Sequence, residues 1–126
     1  MTGQDAPLAQ RIEVVERGYE YLLAYAAQGR QNDAGTAVRE TLTAMHAALG
    51  DLGALLTSAI GNLAASEAAG FIEAMSDDAR KARGAIGLVL SRTQIGSQLV
   101  DNLNASIHLR ALLTDVFLAD EALRQR

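Results

Sequence analysis

An all-α fold, an antiparallel four-helix bundle, is what this sequence predicts, and three observations carry the prediction. Apolar residues recur at alternating steps of three and four along most of the chain. Hydrophobic residues make up 49% of it, yet only Tyr19, Tyr21, Tyr25, Phe71 and Phe117 carry rings. The interior must then be built from Leu, Ile, Val, Met and many Ala, whose small side chains let helices approach closely. Finally, there is a single proline, and no window alternates apolar and polar residues between turn signals, so no sheet is expected.

The first helix is expected to open with Asp5 as N-cap and Pro7 in the first turn. Its stripe is Leu8, Ile12, Val15, Tyr19, Leu22 and Ala26, and Gly29 ends it. Asp33 is read as the N-cap of a second helix with the seam Val38, Leu42, Met45, Leu49, Leu52, Leu56, Ala59 and Leu63. Gly50, Gly53 and Gly61 each cost about 1 kcal/mol there relative to Ala. The seam outlasts them, so one bent helix is expected, turning over residues 62–66.

The third stripe is Ala68, Ile72, Met75, Ala79, Ala82, Ile86 and Val89, and it runs on through Thr93, Gly96, Val100, Leu103 and Ile107. Residues 66–124 therefore read as either one helix or two. Ser91 and Gln94 have the spacing of a capping box, which favours a break near residues 91–93. A fourth helix would then run to about Leu123, with Ile95, Leu99, Leu103, Ile107, Leu112, Val116 and Leu123 inward. Without the break, three helices, one of them very long, would complete their core by dimerisation. Either way, residues 1–126 are long enough for one domain burying roughly two-thirds of its unfolded surface.

The formal charge is −4 with both signs interspersed. The one basic cluster, Arg80, Lys81 and Arg83, follows Asp77 and Asp78 and reads as a self-paired, solvated face. Nucleic-acid binding needs a basic stripe, so none is expected. The longest uncharged run, Leu52 to Ser66, falls short of the roughly twenty residues a membrane helix requires. Residues 1–7 lack the basic and hydrophobic regions of a secretory signal. With no cysteine either, a cytoplasmic protein without membrane contact is expected.

Chemistry is sparsely supplied. There is no cysteine, no Gly-x-Ser-x-Gly and no phosphate-binding glycine loop, and the only histidines are His46 and His108. A helical di-iron site would want a glutamate three residues before each histidine, but Thr43 and Ala105 stand there. No enzyme, metal or cofactor is therefore expected. Acid–base work could fall only to carboxylates such as Glu40, Glu67, Glu73 and Asp101, which lie on separate predicted helices. The glycines at 50, 53, 61, 84, 87 and 96 are read as points of close helix approach. Tyr21 and Tyr25, four apart and outside the inner stripe, form a candidate partner-contact face, since tyrosine is enriched at interfaces.

The window Met45-His46-Ala47-Ala48-Leu49-Gly50 resembles the phosphoacceptor site of histidine phosphotransfer domains, which are helical bundles of this length. The resemblance implies that His46 exchanges phosphate with an aspartate of a receiver domain. Gly50 matches the family's glycine four residues on. Leu49 stands where the family carries a lysine, so the phosphate-stabilising cation is missing from that position.

The function expected is that of a non-enzymatic helical interaction or regulatory protein, an adaptor or accessory subunit. Its partner would be another protein or a second copy of itself, as a homodimer. The alternatives are a phosphotransfer module using His46 and a bundle holding a small molecule or cofactor between its helices.

Overall fold

The computed structural model describes residues 6–60 and 65–124. Among these residues there are six helices and no strand: α1 (Ala6–Ala26), α2 (Val38–Gly50), α3 (Leu52–Ile60), α4 (Ala65–Leu90), α5 (Ser97–Ala105) and α6 (Ile107–Arg124). Six replace the expected four because two of the predicted helices are each interrupted by one residue. Asp5, Gly61 and most of the turn expected at 62–66 lie outside the described residues.

The inner face of α1 is Leu8, Ile12, Val15, Gly18, Leu22 and Tyr25. The sequence pointed instead to Tyr19 and Ala26, which are half-buried. Both series step by three and four, and Gly18 decides between them. A Cβ there would stand 2.5 Å from the Met45 sulfur, so the missing side chain is what seats α2 against α1.

Asp33 does not cap α2, which begins five residues later at Val38. Residues 29–37 form a loop that turns at Gly29 (φ 68°) and Gly35 (φ 73°), left-handed conformations that favour glycine. The Asp33 carboxylate instead accepts the Ile95 N–H at 3.0 Å and the Arg39 Nε–H at 3.2 Å.

At Asp51 the backbone leaves the helix (φ −120°, ψ 11°), which separates α2 from α3. Arg11 of α1 grips this corner bidentately, at 3.0 and 3.1 Å from the two Asp51 oxygens. Just beyond it, Gly53 carries α3 onto α4, where a Cβ would collide with the Ser76 hydroxyl. Gly50 and Gly87 face Arg83 and His46 in the same seam. Gly84, expected to serve the same end, faces open space, and Gly96 lies in a loop against the Arg30 and Gln31 carbonyls.

Helix α4 buries Met75, Ala79, Ala82, Ile86 and Val89, as its stripe predicts. It stops at Leu90, beside the expected break. Ser91 does not open the next helix; its hydroxyl donates back to the Leu88 carbonyl at 2.6 Å and so closes α4. The next helix begins only at Ser97, after Gly96.

A second interruption, at Ser106 (φ −59°, ψ 133°), divides the expected fourth helix. It resets the register. Ile107, expected inside, is 73% exposed, while Leu109, Leu112, Leu113, Val116 and Ala119 are buried. Leu99 and Leu123 pack half-buried at the margin of the core.

Helix α1 packs chiefly on α2 and α5, and α4 on α2, α3 and α6. Ser97 and Asn104, seven positions apart on α5, bond the carbonyls of Tyr25 and Leu22, only three apart on α1, so α5 crosses α1 at an angle. No helix among the described residues is long and apolar enough to cross a membrane.

Candidate functional site

The two tyrosines proposed as an outer face are used internally. Their rings stack with centroids 6.2 Å apart. Tyr25 is only 1% exposed; its hydroxyl donates to the Ile95 carbonyl at 2.5 Å and lies 3.2 Å from that of Asn32. Burial pushes the Tyr25 phenol above its ordinary pKa. Tyr21 is half-buried, and its hydroxyl accepts the Ala37 N–H at 3.1 Å, just ahead of α2. The periodicity placed Tyr25 outside because its partners are backbone carbonyls distant in sequence.

Around Tyr25 the loops at one end of the molecule are joined by polar bonds. Ser97 donates its hydroxyl to the Tyr25 carbonyl at 2.7 Å and accepts the Arg30 N–H at 2.8 Å. Arg39 donates to the carbonyls of Leu90, Arg92 and Thr93, meeting the open C-terminal end of α4. Asn104 donates to the Leu22 carbonyl, and its buried Oδ1 has no partner. These contacts hold the scaffold rather than a reacting group.

His46 lies half-buried on α2, its ring against Gly87 of α4. A cation of α4 lies close to the backbone of this window. Arg83 donates to the His46 carbonyl at 3.1 Å and lies against Gly50. Alongside runs an open groove of about 410 Å³ whose lining includes Gly50, Gly53, Ser76, Arg80 and Arg83. A pattern search along the chain misses such a residue because it is thirty-seven positions away.

The carboxylates singled out from the sequence are not the ones that meet. Glu40, Glu73 and Asp101 are each exposed, on α2, α4 and α5, and the Glu67 side chain lies outside the described residues. His108 is exposed near the start of α6. No group of three or more residues fit to hold a metal occurs among the described residues.

The pair that does form is Asp78 of α4 with Asp115 of α6. Burial, with the neighbouring Asp78 carboxyl adding to it, pushes Asp115 up to about 7. Its Oδ2 is buried without a hydrogen-bond partner. A carboxyl whose pKa is raised on folding stabilises the protein fully below the unfolded carboxylate range, and that contribution is lost as pH rises toward 7. Asp115→Asn should therefore gain stability over the parent between pH 4 and 7. The gain should level off at about 1–2 kcal/mol, the full shift being discounted for the water that reaches the pair. Urea titrations at several pH values measure the difference, and a constant offset would refute it. Asp33, Asp51 and Asp77 are held below the usual range, Asp33 by the Ile95 N–H and then Arg39, Asp51 by Arg11, and Asp77 by Arg80 and Lys81. Their contributions fade in acid, and in both proteins alike.

Among the described residues Leu23, Leu88, Ile107, Phe117 and Leu118 are the exposed large apolar side chains, and the three most exposed stand on α4 and α6, which pack on one another. Leu88 is 66% exposed, Ile107 73% and Leu118 58%. Ile107, Ala111, Asp115 and Leu118 follow one another at steps of four, four and three and so share one side of α6. Around Leu88 the same side of α4 carries Gly84 and Ala74 together with the charged Asp77 and Lys81.

Compared with protein-family models, with curated protein sequences and with solved structures, the chain matches none.

Proposed function

We propose that this chain is a helical interaction protein that acts by docking another helix-presenting protein on the outer face of the α4/α6 seam. One observation carries the reading: Leu88, Ile107 and Leu118 stand exposed on α4 and α6, two helices that pack on one another. Large apolar side chains that converge on one face mark contact sites, whereas scattered ones do not. On this reading the six helices compose an antiparallel four-helix bundle with two broken members, a view supported by α1–α2, α2–α4, α4–α6 and α5–α1 packing in a closed circuit.

The test places a photoactivatable amino acid at Leu88 in cells and, separately, follows the purified protein by sedimentation. A discrete protein adduct that is lost when the probe moves to exposed Glu40 supports the reading. Absence of any adduct, together with a monomer persisting to about 1 mM, beyond which affinity has little meaning, would overturn it.

Arg83 beside His46 favours a second reading, a phosphotransfer module in which His46 takes phosphate and the guanidinium steadies it. Phosphorylated receiver domains should then pass acid-labile phosphate to the parent. His46→Gln should take none, and Arg83→Ala should be slower. Equal labelling of parent and His46→Gln would end this reading.

A further inference from the structure

Six outward positions of α4 repeat at steps of four and three: Gly70, Ala74, Asp77, Lys81, Gly84 and Leu88. All are exposed except Asp77, which is half-buried by its ion pairs with Arg80 and Lys81. Read in reverse, the series complements itself: Leu meets Gly, Gly meets Ala, and Lys meets Asp. A two-fold symmetric interface requires this property, since each residue must suit its counterpart in both directions. Laid parallel and in register, the same stripes would set Asp77 on Asp77 and Lys81 on Lys81.

The surface has room for the fit. A Cβ at Gly70 or Gly84 would find nothing within 4 Å. Around Gly70 lies an open hollow of about 660 Å³, bordered by Glu73, Ala74, Ser76, Asp77 and Arg80. Beside the stripe, Ile107 and Leu118 of α6 extend the apolar surface to a second helix width. From Gly70 to Leu88 the face is about 27 Å long, and at two helix diameters it is roughly 20 Å across. In projection that is about 540 Å², roughly two-thirds of the 800 Å² of accessible surface that each partner buries in a standard-sized complex.

We infer that a second copy of this chain occupies this face. The two α4 helices run antiparallel about a two-fold axis level with Ala79. Leu88 of each copy enters the hollow at Gly70 of the other, and Asp77 faces Lys81 across the axis. The inference rests on the interaction reading above and deepens it by naming the partner and the register.

Sedimentation equilibrium on the parent, on Leu88→Arg, and on Asp77→Lys and Lys81→Asp alone and mixed tests it. The parent should dimerise, and Leu88→Arg should weaken the dimer at least about tenfold. Asp77→Lys sets Lys against Lys81 and Lys81→Asp sets Asp against Asp77, so each alone should weaken it about five- to tenfold. The equimolar mixture restores both opposite-charge pairs and should return to within about threefold of the parent. Circular dichroism should show unchanged helix content, because Leu88 and Lys81 are exposed and Asp77 is bonded only to residues of its own helix. Single losses without rescue in the mixture would overturn the register, and a dimer indifferent to all three substitutions would overturn the face. A parent that stays monomeric would overturn the second copy as occupant, while a heterologous adduct at Leu88 would still uphold the interaction reading.

Discussion

Tyr25→Ala is expected to lower the unfolding free energy by about 4 kcal/mol, the largest loss of any single substitution considered. Tyr25 is among the largest fully buried side chains, and truncating a buried aromatic leaves a cavity that the core closes only in part, at about 3–5 kcal/mol. Tyr25→Phe divides the loss into its parts. It keeps the ring and its stacking on Tyr21 but strips the buried Ile95 carbonyl of its donor. An acceptor orphaned in the interior costs about 1–3 kcal/mol, so this variant should fall near the middle of that range. Chemical denaturation of both variants measures the division. A Tyr25→Phe as stable as the parent would show that the hydroxyl contributes nothing.

Ser97→Ala should cost about 1–2 kcal/mol, because one oxygen serves two backbone partners, one of them buried. It donates to the Tyr25 carbonyl and receives the Arg30 N–H. Removing it strips the Arg30 N–H of its acceptor and leaves the Tyr25 carbonyl with the Gln28 N–H alone. The Tyr25 hydroxyl bonds Ile95, two residues before Ser97, and Ser97 bonds the Tyr25 carbonyl, so the losses in the Tyr25→Phe/Ser97→Ala double variant should not add, with a coupling of roughly 0.5–1 kcal/mol. Strict additivity would separate the two contacts energetically. Ser97→Thr keeps the hydroxyl but adds a methyl where serine is 3% exposed, and it should recover only part of the loss.

How far the sequence foretold this structure depended on whether apolar spacing or distant partners decided each feature. The helical character, the α4 stripe, its end near Ser91 and the loop after Gly29 were all legible, because local periodicity and glycine punctuation encode them. Gly18 was passed over for Tyr19 because counting apolar residues hides a position whose value is the absence of a side chain. Asp33 has the residue type of an N-cap, but the Ile95 N–H it receives lies sixty-two positions away. The breaks at Asp51 and Ser106 fall inside continuous seams; Arg11 settles the first from another helix, and no nearby composition announces the second. For the candidate sites the contrast is sharper. His46 could be named from its window, but the Arg83 bond to its carbonyl, from thirty-seven positions away, could not. The Asp78–Asp115 pair and the outer α4 stripe needed the packing of α6 before they had meaning.

Ser106 has a further consequence for the surface. A lone extended residue inside a helical stretch acts as a phase shifter: the angular origin from which side chains are counted before it no longer applies after it. The nine residues of α5 are tuned to a crossing with α1, and the eighteen of α6 to a run alongside α4. An uninterrupted helix would have to satisfy both neighbours with one rotation, and its apolar edge would drift away from one of them. By resetting the count, the protein keeps two alignments at once, and the isoleucine caught at the reset is turned outward to the solvent.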